Sequence, residues 1–328
     1  MSTRRPKVAM TLGLLAALGV LAAVSLIAGR VWVPLRAWTD AADPRWLIIT
    51  ELRVPRTVLA IAVGAALGIS GAALQGYTRN PLADPGVLGV SSMAALGAVM
   101  TIYMGLAAAS PWMLTLCAMV GAVLGVALLV LIAGPAGEAT SFLLAGVILS
   151  AIASAGVALA LSLSPNPWAA SEIMTWLMGS LADRAPLDLA TAVPFIVLGG
   201  GVLLTTGPAL DALTLGEIGA RALGISLGRT QATIALGAGL ACGASVAVTG
   251  VIGFVGLITP HLVRRLAGPR PSALMLPSAI GGAGLLLAAD IVVRLLPGGG
   301  RVQVGVAMAA LGAPFFLALL LSARRPLG

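Results

Sequence analysis

The chain has 328 residues, 59% of them hydrophobic and only 9% charged, with a mean hydropathy of +1.07 and a net charge of +8. A soluble domain carries about 25% charged residues, so this composition excludes a soluble globular protein and indicates an integral membrane protein. The basic residues punctuate apolar runs and form no stripe interleaved with aromatics, which argues against nucleic-acid binding. Cys117 and Cys242 fall inside apolar runs with no metal-ligand spacing and read as small buried residues.

The N-terminus places Arg4, Arg5 and Lys7 before an apolar run from Val8 to Ala28. The run is longer than the 7–15 residues of a signal-peptide core, so it predicts an uncleaved first span. A membrane-crossing helix needs about 20 apolar residues. Such stretches occur at 8–28, 55–76, 86–106, 111–133, 140–163, 187–207, 231–249, 251–267, 273–296 and 304–322, about ten spans in one all-α polytopic domain covering residues 1–328. An even count puts both termini on one side, and Arg4, Arg5, Lys7, Arg324 and Arg325 place that side in the cytoplasm. Arg79, Arg221, Arg229, Arg264, Arg265 and Arg270 are then inside, while Arg30, Arg36, Arg45, Arg53, Arg56, Arg184, Arg294 and Arg301 are outside. Eleven basic residues against eight is a weak bias, and the surplus of outer positive charge asks for a partner.

Spans two to five and seven to ten have similar lengths, and each group opens on a Gly/Ala-rich helix followed by a broken segment. Gly64, Gly68 and Gly71 precede Asn80–Gly89, and Gly237, Gly239 and Gly243 precede Gly250–Pro260. Paired interruptions in halves of opposite direction point to inverted repeats, as in transporters. In the first broken segment Asn80, Pro81, Asp84, Pro85 and Gly86 favour a tight turn with side-chain-to-backbone bonds, or an ordinary connection. The second, with Gly253, Gly256 and Pro260, is apolar yet a poor regular helix. Lipid cannot satisfy free backbone groups, so such a segment belongs beside protein or a water-filled pathway.

The longest inner connection, about 208–230, predicts a short helix over Leu215–Leu223 with Gly224 as its stop. Glu217 and Arg221 sit at i, i+4 on it. Outside the membrane such a helix is either a solvated surface feature or a knob that docks into a partner.

At this point the motifs add up to a family. R-V-P-R-T at Arg53–Thr57, N-P-L-A-D-P-G-V-L-G at Asn80–Gly89 and W-L-M-G-S-L at Trp176–Leu181 come first. Then follow G-E-x-x-A-x-x-L-G at Gly216–Gly224, G-F-V-G-L-I-T-P-H at Gly253–His261, A-D-x-x-x-R at Ala289–Arg294, and V-G-V with G-A-P-F-F, Gly305 through Phe316, containing Gly312 and Pro314. Over residues 53–321 the chain resembles the permease subunit of bacterial ABC importers for iron–siderophore complexes, haem and cobalamin, the type II importers.

The resemblance implies a homodimer with the substrate path between two copies, in the bacterial inner membrane. It implies two separate ATP-binding subunits carrying ATP and Mg, a periplasmic or lipid-anchored substrate-binding protein, and no cofactor or metal in this chain. Glu217, Ala220, Arg221 and Gly224 match the helix that couples to the ATPase. Arg53, Arg56 and Arg294 match arginines that meet acidic residues of the binding protein, with span-end anchoring as the plainer reading. Glu138, Thr140, Ser141, Gly146, Ser150 and Ser154 on span five border the expected path or gate, although small residues also suit close helix packing. Asp290 lies four residues before Arg294, a spacing for an intrahelical pair that holds the arginine. His261, the sole histidine, belongs to the general motif and is not assigned a ligand role. Arg301-Val302-Gln303 stands where the family usually has Glu-Leu-Pro, a change in the outer loop.

The chain has no G-x-x-x-x-G-K-[ST] loop, so it is not the ATPase by that mechanism. A secondary transporter would show intramembrane acidic residues, whereas most here fall at loops or span ends. An embedded enzyme would need paired carboxylates, a histidine cluster or a nucleophile elbow within the spans, and none is evident. The first expectation for cargo is an iron chelate, siderophore or haem, with cobalamin as the alternative.

Overall fold

A computed structural model describes residues 4–29, 31, 33–40, 42–296 and 302–323; Arg30, Arg301, Arg324 and Arg325, cited above, lie outside the described residues. Its described elements are all helical: α1 (Arg4–Ile27), α2 (Val54–Thr78), α3 (Val90–Tyr103), α4 (Pro111–Ala133), α5 (Ala139–Ser162), α6 (Pro167–Leu177) and α7 (Pro186–Leu204), then α8 (Gly207–Leu213), α9 (Gly216–Ala222), α10 (Leu227–Thr249), α11 (Val255–Ala267), α12 (Pro271–Leu295) and α13 (Val304–Ala323). Short turns join some of them, and a π-helical stretch Ile48–Arg53 runs directly into α2.

Each of the ten expected spans corresponds to a helix, and seven are long and apolar enough to cross a bilayer by length and composition. The third and eighth are shorter than their apolar runs. Helices α3 and α11 have 14 and 13 residues, about 20 Å each against a hydrocarbon core of about 30 Å. The reason is local: the run leading into each helix bends through a left-handed residue, Gly89 at φ 77° and Phe254 at φ 68°. Helix α6, capped by the Asn166 side chain on the Ala169 amide, occupies what reads in sequence as a connection.

Contacts between helices repeat across the two halves. The pair α2/α12 has its counterpart in α10/α4, α3/α4 in α11/α12, α3/α5 in α11/α13, and α2/α11 in α10/α3. The tight approaches repeat as well. A Cβ on Gly64 or Gly68 would strike the carbonyls of Gly282 and Ser278 on α12, while one on Gly239 or Gly243 would strike Val126 and Ala122 on α4. Both pairs run antiparallel, because the glycine numbers rise as the partner numbers fall. Small residues let backbones meet where lipid supplies no hydrophobic drive for association.

Helix α2 is the centre of the subunit. It packs on α12, α7, α11 and α10, and its most apolar stretch is 78% buried, whereas that of α1 is 6% buried. Gln75 on α2 donates from Nε2 to the Ala83, Gly256 and Leu257 carbonyls and accepts from Arg264, so one amide stitches both broken segments together. Buried carbonyls freed by a broken helix need such partners.

Candidate functional site

At one end of the subunit, α9 forms within the expected stretch and stops short of Gly224, whose φ of 81° suits a residue without Cβ. The four matched residues face different ways. Ala220 is fully buried and anchors the helix to the core, so it offers nothing to a partner. Glu217 does not pair with Arg221 along the helix. It faces Arg79 at the end of α2, 4.0 Å away, while Arg221 donates to the Ala136 carbonyl at 3.2 Å. The outward surface is apolar: Ile218 is 87% exposed, and Leu215 and Leu223 are exposed beside it. Sequence reasoning missed these three; the signal was available as apolar residues at i, i+3 and i+8 on a helix outside the membrane.

Helix α8 precedes α9 and packs against it, α2 and α12. Asp211 on α8 accepts from the Ser272 amide at 2.9 Å, the Ser272 hydroxyl at 2.6 Å and Arg270 Nε at 2.7 Å. Burial alone would raise the Asp211 pKa, but the Ser272 donors and the Arg270 guanidinium outweigh it and hold the carboxyl below its ordinary value.

At the opposite end, Arg56 and Arg294 converge on Asp290, whose side chain is fully buried. Arg56 binds it with Nε at 3.0 Å and Nη2 at 2.7 Å; Arg294, one turn along α12, approaches to 3.0 Å, the intrahelical pair expected from the spacing. Arg294 also donates to the Ser25 and Ala28 carbonyls, and Arg53 to those of Leu26, Ile27 and Val31. Three of these carbonyls, those of Ser25, Leu26 and Ile27, are ones that the last turn of α1 leaves open. Each of the three expected docking arginines thus has an intramolecular partner, and Arg53 is only 6% exposed. Exposed positive charge sits instead on Arg36 and Arg45. Arg45 pairs with Asp43 and lowers that carboxyl to about 2.

Arg53, Arg56 and Arg294 line a cavity of about 370 Å³ with Leu52, Ser180 and Gln303. A second cavity of about 540 Å³ shares Ser180, Ala182, Asp183 and Gln303 with it and continues along α6, past Trp168, Glu172 and Trp176. The substituted Gln303 therefore stands between the two.

Between the ends lie the broken segments. Asn80 and Asp84 accept from the Leu82 and Gly86 amides at 2.9 and 2.8 Å, the turn chemistry expected of them, with Pro81 exposed and Pro85 buried at the start of a short 3₁₀ turn. The Asp84 carboxyl also lies close to the backbone of Leu257 in the first turn of α11, which sets the first broken segment against the second. Pro85 fills the space beside Gly256. Gly253 has open space around it, and Pro260 is buried inside α11. Gly146 on α5 packs on the Val87 carbonyl and Leu88, and Gly312, two residues before Pro314 on α13, packs on the Phe254 ring. Of the gate candidates, Glu138 and Thr140 are exposed, Ser141 bonds Glu138 at 3.5 Å, Ser150 is half-buried and Ser154 is exposed. Gly146 is thus buried as a packing residue, unlike Ser150 and Ser154 one and two turns further along α5. His261 stacks edge-on to Phe315 of α13, centroids 5.8 Å apart. Among the described residues no group of three potential ligands is placed to hold a metal ion.

The profile of the FecCD transport family matches residues 15–322. The chain belongs to that family. A vitamin B12 import system permease protein, BtuC, of Klebsiella pneumoniae is 37% identical over 323 residues, covering 98% of this chain and 95% of that protein. The BtuC of Escherichia coli O9:H4 is 37% identical over 322 residues, covering 97% and 94%. Among solved structures, an inward-facing ABC transporter assigned to the metal-chelate type matches with a TM-score of 0.85 and 31% identity, over 96% of this chain and 99% of that one. Membership makes this chain a multi-pass membrane permease, the transport subunit of an ABC importer.

Proposed function

We propose that the chain is the permease subunit of an ATP-driven cobalamin importer. The observation that carries this reading is the near full-length similarity to vitamin B12 permeases, which moves the cargo from iron chelates, the first expectation, to the alternative. Two copies form the path. A binding protein delivers ligand to the outer groove beside Arg56 and Arg294, and two ATP-binding subunits engage α9 in the cytoplasm, where both termini lie. The exposed Leu215, Ile218 and Leu223 supply the apolar centre that such an interface needs, with Glu217 and Arg221 at its rim. The outer arginines then serve twice, holding α1 and Asp290 within the subunit and steering an acidic partner toward it.

An iron chelate is the second reading, favoured by the fold match to a metal-chelate type transporter. Uptake in the native host with the gene deleted and restored separates the two. Labelled cyanocobalamin, ferric siderophore and haem are supplied in parallel. Loss and rescue of cyanocobalamin uptake alone is expected; selective loss of an iron ligand transfers the assignment to the second reading.

A further inference from the structure

Two acidic side chains hold the opposite ends of α12. Its first turn has no side-chain cap of its own, since Arg270 occupies the N-cap position. The cap comes instead from Asp211, 61 residues earlier in the chain, which accepts the Ser272 amide and hydroxyl and Arg270 Nε. Charge-assisted bonds of this kind are about twice as strong as neutral ones. At the other end Asp290 gathers Arg56 of α2 and Arg294. The twenty residues between Arg270 and Asp290 span about 30 Å of helix.

Between those ends α12 cannot slide freely on α2. Gly64, Gly68 and Gly282 bring the two backbones into direct contact, with no room for a Cβ. Close-packed surfaces of this kind transmit displacement and do not absorb it. Helix α8, which carries Asp211, leads directly into α9 and packs on it. By contrast the Arg79–Glu217 pair is 4.0 Å long and partly exposed, a contact of the sort that contributes little.

We propose that Asp211 is a positioning residue for energy coupling: it clamps α8 to the first turn of α12, so that movement of α9 reaches the Arg56–Asp290–Arg294 cluster through the rigid α2/α12 pair. The proposal rests on the ATP-driven permease reading.

The test uses the permease reconstituted in proteoliposomes with its ATP-binding subunits and binding protein, measuring cyanocobalamin, or ferric siderophore if that is the ligand moved, per ATP hydrolysed. Asp211→Asn assembles but moves at least about five-fold less ligand per ATP, a loss in the range of ordinary coupling energies. Ser272→Ala, which keeps the amide bond, gives a smaller loss. A residue that only capped the helix would lower thermal stability and leave the ratio intact. A wild-type ratio in Asp211→Asn therefore overturns the proposal. Should that variant fail to assemble, Arg270→Gln replaces it, and an unchanged ratio there overturns it equally. A wild-type complex that moves no ligand with ATP removes the permease reading and the clamp together; a coupled wild type with unaltered variants removes the clamp alone.

Discussion

Arg56 and Asp290 belong to opposite halves of the chain, 234 residues apart, and meet in a bidentate pair on a carboxylate that water does not reach. Arg294 completes the cluster from the same helix as Asp290. Two guanidinium groups thus depend on one buried carboxylate.

Removing that carboxylate leaves both without a counter-charge, although Arg294 keeps its Ser25 and Ala28 acceptors. Asp290→Ala is expected to destabilise the subunit by about 3–5 kcal/mol, the usual effect of breaking a buried pair from one side. Thermal unfolding in detergent measures it. The double variant Arg56→Met/Asp290→Leu is expected to recover part of the loss, the share owed to Arg56; equal instability in both would show that the Arg56–Asp290 pairing is not the cause.

Gly68→Ala puts a methyl group against the Ser278 carbonyl on α12, where only backbone is present to yield. Overpacking of this kind costs about 1–3 kcal/mol. Gly200 on α7, with open space where a Cβ would go, is the control, and its alanine variant is expected to be neutral or slightly stabilising. Indistinguishable melting temperatures for the two variants would contradict the close approach.

Ile218→Asp changes a side chain that is 87% exposed, so the fold is expected to survive. Binding of the ATP-hydrolysing partner is expected to fall at least ten-fold, as for a central apolar contact costing more than about 1.4 kcal/mol. Pull-down of that partner by the variant at wild-type strength would move the docking surface elsewhere.

Acid should release Asp211. Its folded pKa lies below the ordinary carboxylate value of about 3.9, so its stabilising contribution is complete above that value and is lost as pH falls through the folded pKa. The stability gap between wild type and Asp211→Asn is therefore expected to be constant from pH 7 to about 5 and to close below about 4. A gap that persisted unchanged at pH 3 would mean that the carboxylate charge is not what holds Ser272 and Arg270.

Much of this was legible in the sequence, because membrane spans announce themselves by length and paired breaks by glycine and proline. The segments at Asn80–Gly89 and Gly250–Pro260 are where the structure bends, and the helix beginning at Gly216 ends at Gly224 as its glycine requires. Less visible was direction. Nothing in the string says that Ala220 turns inward while Ile218 turns out, since both are apolar enough for either face. Nor does it say that Arg53 and Arg294 bond the end of α1, because those acceptors are backbone carbonyls, which every residue carries. The shortness of α3 and α11 was hidden for a related reason: apolar runs of full span length contain a bend that only the backbone dihedrals reveal.

Gly89 and Phe254 make the same left-handed turn at the heads of α3 and α11, yet they make it on different terms. Glycine adopts it freely, whereas a bulky residue there carries about 1–3 kcal/mol of backbone strain. Phe254 is kept in place by its ring, which rests on the bare backbone of Gly312 in α13. The two halves are therefore alike in shape but unequal in tension: if α13 drew away from α11, the second bend would lose the contact that holds it while the first had no reason to follow.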